Sequence, residues 1–271
     1  MNPGRRTGAA AAIAGAVALS VLTAPQAQAA STGITVSNVV VNKGLPIVVG
    51  TSDEKTPSVT FNVTLPSGYT TADPFDWEAE PYLYHGTTAA AGADDGGLYM
   101  GGYTCYEDSA QKAHCVGELT VDPRYDLDSN GDATSWKIGL ALRLFKSSGA
   151  LKAEEYRTAS GGVPVRRWAK ATVNASPEPV SKGRTLTVTG SLTRADWVKH
   201  RYVGHAGASV KLQFRPKGGS TYSTVKTVTS SSTGALKTTA TANSDGYWRW
   251  SYGGSSTTGT ATSALDFVDV K

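Results

Sequence analysis

Trp136-Lys137-Ile138-Gly139-Leu140-Ala141-Leu142-Arg143-Leu144 is the stretch that decides the fold. Its large apolar side chains fall on every second residue, with Lys137, Gly139, Ala141 and Arg143 between them. A period of two puts those side chains on one face of an extended strand, and a strand with one buried face needs a second layer to cover it. The same alternation recurs at Val59, Phe61, Val63 and Leu65, and at Val210, Leu212 and Phe214. Further strands are expected over 34–41, 82–85, 116–121, 186–192, 222–229, 236–242, 247–252 and 265–270. Clusters of Gly, Asn, Asp, Ser and Pro punctuate them as turns. A single helical turn is expected, from Ala195 to Tyr202. Many short strands with regular turn signals give an all-β chain built of β-sandwiches.

The chain has 271 residues, of which residues 1–29 read as a signal peptide. Arg5 and Arg6 precede an Ala-rich apolar run, and Ala27-Gln28-Ala29 supplies the small residues of a cleavage site. A secreted protein, extracellular or loosely wall-associated, is expected, with no integral membrane segment in the mature chain. A hydrophobic content of 39% excludes a disordered tail. Residues 30–169 hold 11 Lys and Arg against 17 Asp and Glu, net −6, whereas residues 170–271 hold 13 against 5, net +8. The expected organisation is therefore an acidic β-sandwich over 30–169 and a basic immunoglobulin-like β-sandwich over 170–271. Two long loops, 66–80 and 86–104, account for the larger first domain.

Val210-Lys211-Leu212-Gln213-Phe214-Arg215, Ser232 to Leu236 and Asp245 to Trp250 resemble bacterial immunoglobulin-like surface modules. With Cys105, Cys115 and the run from Ala171 to Thr193, the mature chain is similar to secreted two-domain proteins of Streptomyces and related actinobacteria, some of them named calcium-binding. The resemblance implies tandem immunoglobulin-like sandwiches and export. It brings no catalytic residues to carry over.

Several constellations bear on chemistry. Cys105 and Cys115 flank a polar, turn-like segment, so a disulfide across a hairpin is expected in an oxidising compartment. Asp126, Asp128, Asn130 and Asp132 alternate along a run containing Gly131, and such oxygen donors suit calcium. The twelfth position of that loop is Lys137 rather than Glu, so the competing reading is a polar turn. Arg194, Trp197, Lys199, Arg201 and Tyr202 combine cations with aromatic rings on one connection, a pattern suited to a sugar or to phosphate oxygens. The competing reading there is a short helix whose Trp197 caps the sandwich. Trp248, Trp250 and Tyr252 share a strand face and read as core. Asp76, Glu78 and Glu80 interleave with Phe75, Trp77 and Tyr82, near Tyr69 and Tyr84, which raises a glycosidase as an alternative.

No Gly-x-Ser-x-Gly elbow, His-Glu-x-x-His pair or phosphate loop occurs, and no catalytic residue is assigned. The resulting expectation is a secreted, non-enzymatic binding or structural protein at or near the cell envelope. Its basic domain would bind an anionic wall polymer or polysaccharide, ahead of nucleic acid. The alternatives are a carbohydrate-active module or hydrolase using the acidic domain, and a calcium-stabilised structural protein.

Overall fold

The computed structural model describes residues 31–271, so the signal-peptide reading lies outside the described residues. Within them the chain is all-β, two tandem sandwiches in sequence order. The first is built from β1 (Thr35–Val41), β2 (Ile47–Val49), β3 (Ser58–Thr64), β4 (Trp77–Tyr84), β5 (Met100–Ser109), β6 (Lys112–Leu119), β7 (Ser135–Phe145) and β8 (Leu151–Arg167), with a short helix α1 (Ala89–Asp94). One sheet has the order β1-β3-β6-β5 and the facing sheet β2-β8-β7-β4. Every pair is antiparallel except β2 with β8, which is parallel. This is the four-on-three strand plan of an immunoglobulin constant-type domain, with β2 as an added edge strand on the smaller sheet.

The alternation of β7 behaves as its sequence dictates. Trp136, Ile138, Leu140, Leu142 and Leu144 are buried and meet Val59, Phe61 and Val63 of the opposite sheet in one core. The outward residues of β7 carry a second layer. Gly139 lies under the Tyr82 ring, where a Cβ would stand 2.2 Å from Tyr82 Cζ, so only glycine allows that contact. Tyr82, Tyr84, Ala89 and Ala141 form a small apolar cluster beneath α1, with Tyr99 against it. The loop after β4 is thus a cover on the outer sheet face, and its helix was not expected from the sequence.

The second sandwich contains β9 (Ala169–Ser176), β10 (Thr185–Asp196), β11 (Arg201–Gly204), β12 (Ser209–Pro216), β13 (Ser223–Thr229), β14 (Ala235–Thr241), β15 (Gly246–Tyr252), β16 (Ala261–Thr262) and β17 (Asp266–Val268). β10 joins β9, β11 and β14 in one sheet, and β13-β12-β15 with β16 and β17 form the other. Trp248, Trp250 and Tyr252 are core, as expected, packing with Leu186, Val188, Val210 and Leu212. The Trp250 indole donates to Thr189 O at 3.0 Å, and a Cβ on Gly190 would stand 2.8 Å from that ring. The Val180–Val270 bridge is parallel, as the β2–β8 pair is.

Only Trp168 separates β8 from β9. Its N–H donates to Val49 O and its carbonyl accepts from Ala195 N–H, each at 2.8 Å, so the connecting residue is bonded to both sandwiches.

Cys105 and Cys115 stand opposite each other in the β5–β6 register and are disulfide-bonded, as expected. Closing a loop of that length removes about 3 kcal/mol of freedom from the unfolded chain. Replacing both cysteines with serine is expected to lower the unfolding free energy by about that amount, with a denaturant slope equal or slightly higher as the unfolded chain is released. Equilibrium urea unfolding of the two proteins measures it, and equal midpoints would contradict it.

Candidate functional site

The connection from Arg194 to His205 is a hairpin, not a helical turn. Ala195 pairs with Tyr202 and Asp196 with Arg201, leaving Trp197 to His200 as the turn. The backbone pairing outcompetes a helix because β10 simply continues past its core section into the joint between the sandwiches. Trp197 is fully buried, and it is buried in the first sandwich's core rather than its own. Its indole donates to Gly50 O at 2.9 Å. Tyr202 packs against the same core, and Lys170 Nζ sits 3.8 Å from its ring centre. The two aromatic rings of the expected ligand-binding set are therefore spent on the joint. Lys199 and Arg201 are exposed beside it, and Arg194 is half-buried with its Nε shielded and unpartnered.

The acidic run 126–132 is the other half of this joint. Asn130 Nδ2 donates to Asp196 Oδ1 at 3.1 Å, and Asn130 Oδ1 accepts from Trp197 N–H at 3.0 Å. Asp126 Oδ2 accepts from Asp122 N–H, and Asp132 Oδ2 accepts from Ser129 N–H. Ser129 Oγ in turn accepts from Gly131 N–H, so Ser129 and Asp132 cap a tight turn. Asp128 is exposed. The four expected calcium donors face different partners, and among the described residues no group of three His, Cys, Asp or Glu side chains is placed to hold a metal. Turn chemistry engages the Asp126 and Asp132 oxygens, and Asn130 reaches across to Asp196 and Trp197.

Asp196 is buried at the centre. Burial works against its charge, but hydrogen bonds from Asn130 and from Lys199 N–H outweigh it and hold the carboxyl below its ordinary range. Arg167 Nε donates to Ala195 O at 2.5 Å, and burial pulls that guanidinium down to about 10. Nearby, His205 is buried; desolvation, then Arg194 and Arg167, push it down to about 4, leaving a neutral ring beside the Tyr252 hydroxyl.

Two carboxylates of the acidic sandwich, Glu78 and Glu154, share one arginine. Arg143 reaches Glu154 at 2.7 Å, Glu78 at 3.1 Å and the Tyr156 hydroxyl at 2.9 Å. Burial raises the Glu80 pKa and the Glu78 charge adds to it. Asp76 lies outside this network, Trp77 is core and Phe75 is exposed. Arg143 thereby holds Glu78 and Glu154 together as one charge-assisted unit.

One surface went unread in the sequence. On β15, Trp248 and Trp250 point inward, so Tyr247 and Arg249 point outward. They pair with Arg215 and Gln213 of β12. Arg249 Cζ lies 3.6 Å from the Tyr222 ring centre, and Arg215 Cζ lies 5.3 Å from Tyr222 and 4.4 Å from Tyr247. Arg249 Nε donates to Gln213 Oε1 at 2.8 Å, and Arg215 Nη1 to Gly219 O at 2.6 Å. The signal was available as the off-phase half of Tyr247-Trp248-Arg249-Trp250, which the tryptophans overshadow.

Two outcomes test the joint. Trp197→Ala is expected to cost about 3–5 kcal/mol, because it empties a site in the partner sandwich's core. Urea unfolding measures this, and a loss below about 1 kcal/mol would place the ring outside that core. Separately, His205 binds its proton less readily folded than unfolded. Stability is expected to fall as pH drops from about 6.5 to about 4, where the unfolded chain takes up a proton the native ring refuses. His205→Gln is expected to flatten that part of the pH–stability curve, and an unchanged slope would remove His205 as its cause.

No family model and no curated protein matches the chain. Among solved structures it is similar to the full Ig1–Ig3 ectodomain of mouse nectin-like molecule 4, at 12% identity and a TM-score of 0.27, covering 86% of this chain and 64% of that one. It thus spans less than two thirds of that ectodomain. It is similar to a marsupial T cell receptor at 11% identity and a TM-score of 0.38, covering 88% and 73%. It is also similar to fibronectin(III)-like modules of Clostridium thermocellum CbhA at 11% identity and a TM-score of 0.27, covering 86% and 93%.

Proposed function

We propose that this is a secreted, non-enzymatic binding protein of the cell envelope whose basic second sandwich holds an anionic wall polymer. The observation that carries the reading is where the positive charge sits. Of the 13 Lys and Arg in residues 170–271, only Lys217 and Lys271 have a carboxylate within ion-pair distance among the described residues. The acidic sandwich does not mask the rest. Each described ion pair lies within one sandwich, and none crosses the joint. The joint is closed by Trp197, by hydrogen bonds and by the buried Arg167 and Asp196, and the lysines and arginines away from it on the second sandwich face solvent. Uncompensated surface charge of one sign attracts polyanions and raises their local concentration.

The non-enzymatic part of the reading draws support from the Arg143 clamp on Glu78 and Glu154. Among the described residues no helix is long and apolar enough to cross a membrane.

The mature chain, with both sandwiches, is the protein to test, since a separated domain would either expose Trp197 or lose it. Co-sedimentation with isolated cell walls is expected to retain the protein at low salt. Retention should decline as ionic strength rises past about 0.15 M, where charge is screened beyond about 8 Å. Retention that ignores salt, or none at low salt, would overturn the polyanion reading.

A further inference from the structure

We propose that the outer face of the β12–β13–β15 sheet is the polymer site, and that Arg215 and Arg249 grip successive phosphodiester groups of the chain lying across it. This rests on the polyanion reading above and adds the surface and the chemistry of the ligand.

The two guanidinium groups are held, not loose. Tyr222 lies against both of them and Tyr247 against Arg215. One nitrogen of each is tied down, Arg249 Nε by Gln213 and Arg215 Nη1 by Gly219 O. Fixing an arginine in advance reduces the freedom it must lose when it binds. The remaining N–H groups are unspent, and neither arginine has a carboxylate in ion-pair distance among the described residues. Beneath them the Tyr222 hydroxyl is shielded and has no hydrogen-bond partner.

The register sets the spacing. Gln213 pairs with Arg249 and Arg215 with Tyr247, so the two arginines are diagonal neighbours on adjacent strands, with backbones roughly 7–8 Å apart. Lys211, exposed and opposite Ser251, continues the same outward row. Cations at such intervals along a flat face suit an anion repeated along a flexible chain.

The aromatic rings decide the chemical class. Tyr222 is flanked by two guanidinium groups, and Tyr247 by Arg215 and by Phe267 at 5.2 Å. A carboxylated polysaccharide carries its charge on sugar rings, which favour a bare aromatic platform. The rings here serve as supports for cations instead. A phosphodiester carries its charge in the chain linkage, with two free oxygens that one arginine fork can take together.

The test measures binding of the chain from residue 30 onward to poly(glycerol phosphate) of defined length, by calorimetry at low salt. Arg215→Lys and Arg249→Lys keep the charge but lose the fork, and each is expected to weaken binding by about tenfold. Lys237→Gln removes a charge from the opposite sheet and is expected to change the affinity less than about twofold. If Lys237→Gln weakens binding as much as the arginine variants do, the charge acts diffusely; this face is then rejected while the polyanion reading stands. Tighter binding to polygalacturonate or to single-stranded DNA of matched charge would overturn the assignment of ligand. Failure of the unaltered chain to bind the polymer or cell walls would remove the underlying reading itself.

Discussion

Trp197 is supplied by one sandwich and buried by the other, and the arrangement of the whole chain depends on that exchange. A tryptophan buries a larger apolar area than almost any other side chain, and its single polar atom must find an acceptor when it does so. Gly50 O provides the acceptor and the first core provides the volume. Asn130 then has to sit where it bridges Trp197 N–H and Asp196, and Arg167 where it meets Ala195 O. With Trp168 as the sole connecting residue, relative motion of the sandwiches would break several buried contacts together. Domains joined this way behave as one body, unlike the usual pair linked by a flexible segment.

That rigidity gives the charge layout its meaning. Two oppositely charged domains on a slack tether would collapse onto each other. Here they are held by a buried, hydrogen-bonded contact on one end of each, and their remaining surfaces cannot swing together. The acidic sandwich spends charge internally on Arg143, and the basic one leaves its cations outward.

Much of the fold was legible because burial leaves a periodic trace. β7, β12 and β15 each show one apolar face, and each is a central strand whose other face is polar or covered. β8 was missed because most of its 17 residues are only half-buried or exposed, and apolar alternation emerges only at Val163 and Val165. α1 was missed because six residues, mostly alanine, carry no helical period. The hairpin at 201–204 was misread because nothing local in Trp197 says that its cavity lies some 150 residues upstream, around Gly50. In β15 the period-two signal is carried by the buried tryptophans, and Tyr247 and Arg249 in the opposite phase gain their meaning only from Arg215 and Tyr222, which lie across the sheet rather than nearby in sequence.

The parallel pairing of β2 with β8 has a mechanical consequence. Tension drawing the chain apart through these strands pulls them lengthwise in opposite directions. All the hydrogen bonds between them are then strained at once, whereas a hairpin pulled at its open end gives way one bond at a time. The Val180–Val270 bridge repeats that geometry in the second sandwich. A tug along the chain therefore meets a shear lock in each sandwich before either can unravel.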